Sequence, residues 1–180
     1  MRKYRLTIFW LAISTSTFCQ QLKGQRFVEI TVAKVDGLRQ TNKMGLSIGL
    51  NRGKVINRRL SRQWGMSYLR KDYSIVNQPI PVETMAVGYA FNRTLFHNKG
   101  ASGFLTLGGV GGYQLINRSN AFLDNVSYQL TNQNKGIIGG ETKLCLLLAS
   151  TISVYAQTLW FPTSDVQRFH TLLGVSIRIY

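Results

Sequence analysis

The chain is poor in acidic residues, cysteine and histidine, and it lacks long apolar runs. Its 180 residues include 7 acidic side chains against 22 Lys and Arg, with only 2 cysteines and 2 histidines. After residue 20, no apolar stretch is long enough for a transmembrane helix and none has the period of an amphipathic helix. No phosphate-binding loop, zinc-ligand spacing or dinucleotide fingerprint occurs either. These absences argue against a helical membrane protein, and we expect no cofactor and no bound metal.

The N-terminus has the three-part layout of a secretory signal peptide. Arg2, Lys3 and Arg5 form a basic segment, an apolar core follows at 6–13, and small polar residues at 14–17 come before Cys19. The apolar core is too short to span a bilayer. We predict cleavage after Cys19, because Thr17 and Cys19 are small at the positions that a signal peptidase reads. Lipid attachment at Cys19 is the alternative, although bulky Phe18 precedes it.

Removal of residues 1–19 would leave residues 20–180 as a single domain with one cysteine. Cys145 alone rules out an internal disulfide and a CxxC metal site, and we expect it to be a small buried hydrophobe. The cleavage removes three basic residues and no acid, so 19 basic residues against 7 acidic ones leave a net charge of +12. That excess could serve nucleic acid, anionic lipid or an acidic partner.

The mature region alternates with a period of two, which is the pattern of β-strands. In residues 44–51, large apolar side chains alternate with Gly, Ser and Asn, and residues 84–91 and 173–180 repeat this pattern. Weaker alternation marks five more segments, near residues 28–33, 64–68, 105–115, 141–148 and 152–160. We therefore predict eight strands.

The sizes of the alternating side chains indicate which face points outward. The second face of the strands consists of Gly, Ala, Ser and Thr with a few charges, and it lacks the Lys and Glu of a solvated surface. A small membrane barrel directs its large apolar side chains to lipid and small or polar ones into a narrow interior. The sequence thus predicts an all-β, eight-stranded antiparallel up-and-down β-barrel of outer-membrane type, in the outer membrane of a Gram-negative bacterium. A soluble periplasmic or surface β-barrel that binds a small ligand or lipid is the alternative.

The connections suggest an orientation for this barrel. The longest connection, at residues 118–136, is polar, and the one near 149–151 is tight. Long outer loops and short periplasmic turns fit an N-terminus in the periplasm. Two predicted periplasmic connections, at residues 52–60 and 92–102, are longer than this topology prefers.

A series of short motifs in the second half of the chain resembles the TraO family, the conjugal transfer proteins of Bacteroidota-type conjugative transposons. The motifs are Ile80-Pro81-Val82-Glu83-Thr84 before Gly88-Tyr89, Gly111-Gly112-Tyr113-Gln114 before Ile116-Asn117-Arg118, Gly139-Gly140-Glu141, then Trp160, Phe169 and Gly174-Val175-Ser176-Ile177-Arg178. The chain departs from the family pattern at Gln114, where an acid is expected, and at Phe161-Pro162, where a glycine is expected.

The resemblance implies an exported, non-catalytic component of the mating apparatus at the outer membrane. Its implied partners are other conjugation-apparatus proteins. The positive charge and the predicted outer-membrane placement add outer-membrane lipid or lipopolysaccharide as expected contacts.

Four charged residues fall on the small-residue face of the predicted strands: Glu29, Glu141, Lys143 and Arg178. Lone buried charges are too costly, so we predict that they form a hydrogen-bonded ion network in the barrel interior. A polar conduit is the alternative. The interior of an eight-stranded barrel is just wide enough to be filled by side chains, which favours the network.

The densest basic run comprises Arg52, Lys54, Arg58, Arg59 and Arg62. It could be a solvated turn, a site for phosphate groups, or a contact for an acidic partner protein. Nucleic acid is disfavoured, because no stacking aromatic residues interleave with these arginines.

Catalytic residues are hard to assemble in this sequence. His97 and His170 fall in different predicted connections, one inner and one outer, and no serine, acid and histidine set can be placed together. We therefore predict a non-catalytic protein without a small-molecule substrate, and a lipid-modifying hydrolase is the enzymatic alternative.

Overall fold

The computed structural model describes residues 22–36, 45–75, 78–98, 100–116, 133–148 and 151–180. The predicted signal peptide, residues 1–19, lies outside the described residues, as does most of the predicted long connection at 118–136. The described residues include no helix of the length and apolar character needed to cross a bilayer.

Eight antiparallel strands form a closed barrel in which each strand pairs with the next and the last pairs with the first. The strands are β1 (Arg26–Val35), β2 (Gly45–Asn57), β3 (Leu60–Ile75), β4 (Gln78–His97), β5 (Ala101–Ile116), β6 (Gln133–Leu148), β7 (Ile152–Trp160) and β8 (Phe169–Ile179). The prediction of an all-β, eight-stranded up-and-down barrel is confirmed. All eight strands that the alternation predicts are present.

The strands place their large aliphatic side chains on the outside of the barrel. In β1, Val28, Ile30 and Val32 are 38–44% exposed, whereas Glu29 between them is fully buried. The same alternation runs through β8, where Val175 and Ile177 point outward and Ser176 and Arg178 are buried. Because a strand alternates its side chains between two faces, one register decides the environment of every residue in it.

The two ends of the barrel differ in the length of their connections. One end, here called the terminal end, holds Leu22, Tyr180 and the connections at 58–59, 98–100 and 149–151. The other, the loop end, holds the longer connections at 36–44, 117–132 and 161–168 together with the short one at 76–77.

The expectation of long connections at 52–60 and 92–102 is wrong. Strand β2 continues to Asn57 and β3 begins at Leu60, so only Arg58 and Arg59 form the turn. The Asn57 Oδ1 atom accepts a hydrogen bond from the Arg59 backbone N at 2.9 Å, which closes the turn. Basic residues in this segment suggested a loop, but the alternation continues through them because their side chains point outward from the strand.

Side chains fill the barrel interior. A cluster of buried apolar residues extends through it, with members from six strands and the β7–β8 connection, including Val35, Phe104, Leu147 and Phe161. A cavity lined by inward-facing residues of several strands has a volume of about 40 Å³. That space suits about one water molecule.

Candidate functional site: the barrel interior and the basic surface

Glu29 lies at the centre of an interior group of charges. Its Oε2 atom accepts hydrogen bonds from Arg178 Nε at 3.0 Å and Nη2 at 2.5 Å. Its Oε1 atom accepts a short hydrogen bond from Lys143 Nζ. All three side chains are at most 5% exposed, so the group is buried in the interior. One carboxylate thus faces two cations from strands β6 and β8.

Aromatic rings surround the two cations. The Arg178 guanidinium lies 4.5 Å from the ring centre of Phe27 and 5.2 Å from that of Phe104. The Lys143 ammonium lies 4.3 Å from the ring centre of Tyr155. Cation–π attraction of this kind helps to stabilise the two buried cations, whose combined charge Glu29 alone does not balance.

Glu141 lies beside this group with a different partner. Its Oε2 atom accepts a hydrogen bond from Gln157 Nε2 at 2.7 Å. Glu141 and Lys143 both line the 40 Å³ cavity. The structure therefore brings Glu29, Lys143 and Arg178 into direct contact and places Glu141 next to them. That these residues stabilise the barrel stays a prediction.

A second polar cluster, at the loop end, surrounds Asp36. Its Oδ2 atom accepts hydrogen bonds from Lys71 Nζ at 2.7 Å and from Gln167 Nε2 at 2.9 Å. Its Oδ1 atom accepts from the Thr171 backbone N at 2.8 Å and from Thr171 Oγ1 at 3.0 Å. His170 Nδ1 lies 3.5 Å from Oδ2, which suits an ion pair when the ring is protonated.

These surroundings determine the ionisation of Asp36, just beyond the end of β1. Burial of the carboxyl acts to raise its pKa, but His170, Lys71 and Thr171 outweigh this and hold the pKa of Asp36 well below its usual range. Asp36 has a φ of 53°, a left-handed conformation that Asp tolerates better than most residues. The carboxylate therefore remains ionised in the folded barrel.

The sequence pattern does not indicate this cluster, because its members are distant in the chain. A signal for two of its members is present in the alternation: Lys71 continues the inward face of β3 beyond Leu69, and His170 shares the inward face of β8 with Arg178. The terminal residues of a strand keep its register even where the apolar pattern ends.

The connection at residues 161–168 packs over the loop-end mouth. Phe161 is fully buried, and its backbone N donates to the Arg168 carbonyl at 2.7 Å. Ser164 is buried and donates from Oγ to Gln114 Oε1 at 3.0 Å. Gln114 and Phe161 are two positions where the chain departs from its expected family pattern, and both have a packing role here.

The basic run divides into two groups. Arg52, Lys54 and Arg62 lie on strands with their side chains exposed on the outer wall of the barrel. Arg58 and Arg59 instead form the β2–β3 turn. Arg26 of β1 joins the first group, because Lys54 is the Cα partner of both Arg26 and Arg62. We call Arg26, Arg52, Lys54 and Arg62 the basic row.

Two concave surfaces adjoin these groups. A groove of about 210 Å³ is lined by all four residues of the basic row and by Trp64 and Tyr89. A larger cavity of about 730 Å³ lies at the terminal end, where Arg58, Arg59 and Arg93 meet exposed Leu95 and Phe96. Cationic and apolar groups are therefore combined at both places.

The two histidines lie at opposite ends of the barrel and belong to strands, not to connections. His97 ends β4 at the terminal end, where its Nδ1 atom lies 2.7 Å from Ser102 Oγ. His170 is in β8 at the loop end, next to Asp36. In the part of the chain that the structure describes, no group of three His, Cys, Asp or Glu residues could hold a metal ion.

A closed eight-stranded barrel with an apolar outer wall and an interior filled by side chains, buried charges among them, defines the class of small outer-membrane-type β-barrels. Solved structures show the same fold at low sequence identity. Neisserial surface protein A aligns with a TM-score of 0.62 at 11% identity, covering 86% of this chain and 96% of that chain. Ail of Yersinia pestis aligns with a TM-score of 0.50 at 12% identity, covering 88% and 100%. OprG of Pseudomonas aeruginosa gives 0.50 at 12%, covering 89% and 99%.

The family model described as "Conjugative transposon protein TraO" matches residues 22–180, and the chain belongs to this family. The resemblance inferred from the motifs is thereby confirmed. A search of curated proteins found no match.

Proposed function

We propose that this chain is a non-catalytic outer-membrane β-barrel component of a conjugative DNA transfer apparatus, acting as a structural or interaction protein. Family membership supports the role in conjugation. The main support for the membrane placement is that the barrel has its apolar side chains outside and its charges inside. Exposed residues of the outer wall include Ile48, Met66, Val87 and Val175. In water such a wall would be a large aggregating surface, whereas a bilayer solvates it.

The height of the apolar wall supports this placement. On β1, the outward-facing residues between Arg26 and Lys34 are Val28, Ile30 and Val32. The eight-residue separation of the two cations corresponds to roughly 26 Å along a strand. With a strand tilt of about 40°, the apolar band is roughly 20 Å tall, close to the band of known outer-membrane barrels.

The lengths of the connections support an orientation with the terminal end in the periplasm. Periplasmic turns of outer-membrane barrels are short and their extracellular loops are long. At the terminal end, the connection at 58–59 has two residues and the one at 98–100 has three, so both are short. The same orientation suits a predicted signal peptide that is cleaved after Cys19 on the periplasmic side.

The filled interior supports a structural role over conduction or catalysis. Buried Glu29, Arg178 and Lys143 occupy the lumen together with Phe27 and Phe104. The three interior charges contact one another and aromatic rings, so they are arranged as packing partners. A water-filled pore requires a wider barrel.

The terminal end supplies a surface for another protein of the transfer apparatus. Arg58, Arg59 and Arg93 surround a cavity whose rim exposes Leu95 and Phe96. This combination suits a periplasmic segment with acidic and apolar side chains. The double variant Arg58→Glu/Arg59→Glu should fold normally and lose transfer, and unchanged transfer by the folded variant would remove this partner surface.

Two measurements on the native protein and one genetic test examine the proposal. Fractionation should recover the chain in the outer membrane, and unheated samples should migrate differently from heated ones on a denaturing gel. Deletion of the gene should abolish mating, with recovery on complementation. Recovery in the soluble periplasmic fraction would instead favour the alternative, a soluble or surface barrel that binds a small ligand or lipid.

A further inference from the structure

We propose that the basic row, with Trp64 and Tyr89, binds the phosphodiester head group of an anionic phospholipid in the periplasmic leaflet of the outer membrane. This inference rests on the membrane placement proposed above. The proposal gives the two parts of the basic run different functions. The residues on strands face the lipid, whereas the turn residues Arg58 and Arg59 face the periplasm.

The basic row forms a contiguous surface on the outer wall. Arg26, Lys54 and Arg62 are successive Cα partners across β1, β2 and β3. Arg52 is the Cα partner of Trp64, which in turn pairs with Tyr89 of β4. These six side chains line one groove of about 210 Å³. Four cations therefore converge on a space large enough for a phosphate group.

The groove lies directly next to the apolar wall. One step toward the loop end on the same outward faces come Val28, Leu50 and Met66, each exposed. A ligand that touches both regions must have a charged head beside an apolar tail. Phospholipids have this structure, and a soluble anion does not.

Among the described residues, no Asp or Glu side chain lies beside the basic row. Glu29 and Glu141 face the interior, and Asp36, Asp72, Glu83 and Asp165 lie toward the loop end. Basic residues near an anionic membrane surface are attracted to its lipids. Four cations that share no Asp or Glu partner suit an anionic head group as their ligand.

Aromatic residues mark the same level of the barrel. Trp64, Tyr89 and Phe91 are each 44–49% exposed, and the rings of Tyr89 and Phe91 meet edge to face at 5.3 Å. Trp and Tyr are enriched at the head-group level of membranes. The row and the aromatic residues thus place the membrane interface at the same height.

The position of the basic row favours phospholipid over two other possible ligands, lipopolysaccharide and an acidic protein. Lipopolysaccharide belongs to the outer leaflet, at the loop end, whereas the row lies toward the terminal end. A protein partner in the periplasm would meet the turn residues Arg58 and Arg59 before the outer wall. The basic row also occupies only one side of the barrel. On the opposite side, apolar Leu148, Ile152 and Ile179 face outward at the terminal end of β6, β7 and β8.

The two tryptophans of the mature chain allow a direct test. Trp64 adjoins the basic row, and Trp160 lies at the loop end of β7. Single-tryptophan variants, Trp160→Phe and Trp64→Phe, are folded into phosphatidylcholine vesicles. A small equal fraction of brominated phosphatidylglycerol or brominated phosphatidylcholine is then added, and fluorescence quenching is measured.

We expect Trp64 to report a preference for the brominated phosphatidylglycerol of roughly fivefold or more. Trp160 should be quenched about equally by both lipids. The variant Arg52→Gln/Arg62→Gln should remove the preference at Trp64. The control Lys34→Gln/Arg168→Gln removes the same charge from exposed positions toward the loop end and should retain the preference.

Equal quenching of Trp64 by both lipids in the Trp160→Phe variant would overturn the lipid site and leave the membrane barrel intact. A preference retained by Arg52→Gln/Arg62→Gln would overturn it as well. If neither brominated lipid quenches either tryptophan, the chain does not insert into the vesicles. That result would contradict the proposed function itself.

Discussion

Glu29 and Arg178 are Cα partners across the seam that joins the first and last strands, and the Glu29 carboxylate accepts two hydrogen bonds from the Arg178 guanidinium. The two residues are 149 positions apart in the chain. Their contact can form only when β1 and β8 close the barrel. A charge pair therefore links the two ends of the sheet inside the lumen, and Lys143 of β6 joins it.

Replacing Glu29 by Gln should destabilise the barrel. The change leaves Arg178 and Lys143 buried without their counter-charge, and breaking a buried ion pair in this way costs about 3–5 kcal/mol. The free energy of unfolding, measured by urea titration of the refolded protein in lipid vesicles, should fall by about that amount.

The matched control for this prediction is Glu141→Gln. Glu141 accepts a hydrogen bond from the neutral Gln157 and is only partly buried, so its neutralisation should have a much smaller effect. Equal stability of Glu29→Gln and the unsubstituted chain would contradict the stabilising role of the interior network.

Gly174 should not tolerate a side chain. A methyl group at Gly174 would lie 2.7 Å from Ala33 Cβ and 2.8 Å from Tyr155 Cζ, where β8 approaches its neighbours inside the barrel. Overpacking of this kind costs about 1–3 kcal/mol. Gly174→Ala should therefore lower the urea midpoint, whereas Gly109→Ala should not, because Gly109 has open space where its Cβ would lie. A similar loss in both variants would argue against close packing at Gly174.

Asp36 should make the stability of the barrel depend on pH in the acid range. The pKa of Asp36 is held below its usual range in the folded state. Its contribution to the free energy of unfolding is therefore fully present above the unfolded pKa of about 4, and it is lost as the pH falls from there toward the folded pKa. Asp36→Asn should be less stable than the unsubstituted chain at pH 7, and the difference should narrow between pH 4 and pH 2. Urea titrations at several pH values measure this.

Asp165→Asn serves as the control for the pH experiment. Asp165 pairs with Lys135 at 2.5 Å, but its side chain is 65% exposed, so the pair contributes little to stability. If the difference in free energy of unfolding between Asp36→Asn and the unsubstituted chain stayed constant down to pH 2, Asp36 would not be the source of the pH dependence.

Cys145 should be unreactive in the folded barrel. It is 3% exposed and faces the interior cluster beside Leu147 and Tyr155. A maleimide reagent should label the native protein slowly and the heat-denatured protein fully, as read by mass spectrometry. Rapid labelling before denaturation would show that β6 has a different register. The mass of the labelled chain also reports whether residues 1–19 are removed.

The class of fold and the direction of its faces follow from the amino-acid sequence alone. Alternation of large apolar residues with Gly, Ala, Ser and Thr in segments such as 44–51 predicted both the eight strands and their inverted orientation. Strand periodicity is a local property, so it can be recognised without knowing the partners of a strand. The ordered motifs of the second half likewise indicated the TraO family.

Which charges meet depends on the folded barrel and does not follow from the local pattern. Glu29 and Arg178 share the small-residue face in the sequence, but the pairing of β1 with β8 makes them neighbours, and Glu141 is directed to Gln157 instead. The Asp36 cluster assembles from the ends of β1, β3 and β8 with the β7–β8 connection, and the division of the basic run depends on where β2 ends. Contacts between distant strands depend on closure and register, which a local pattern does not contain.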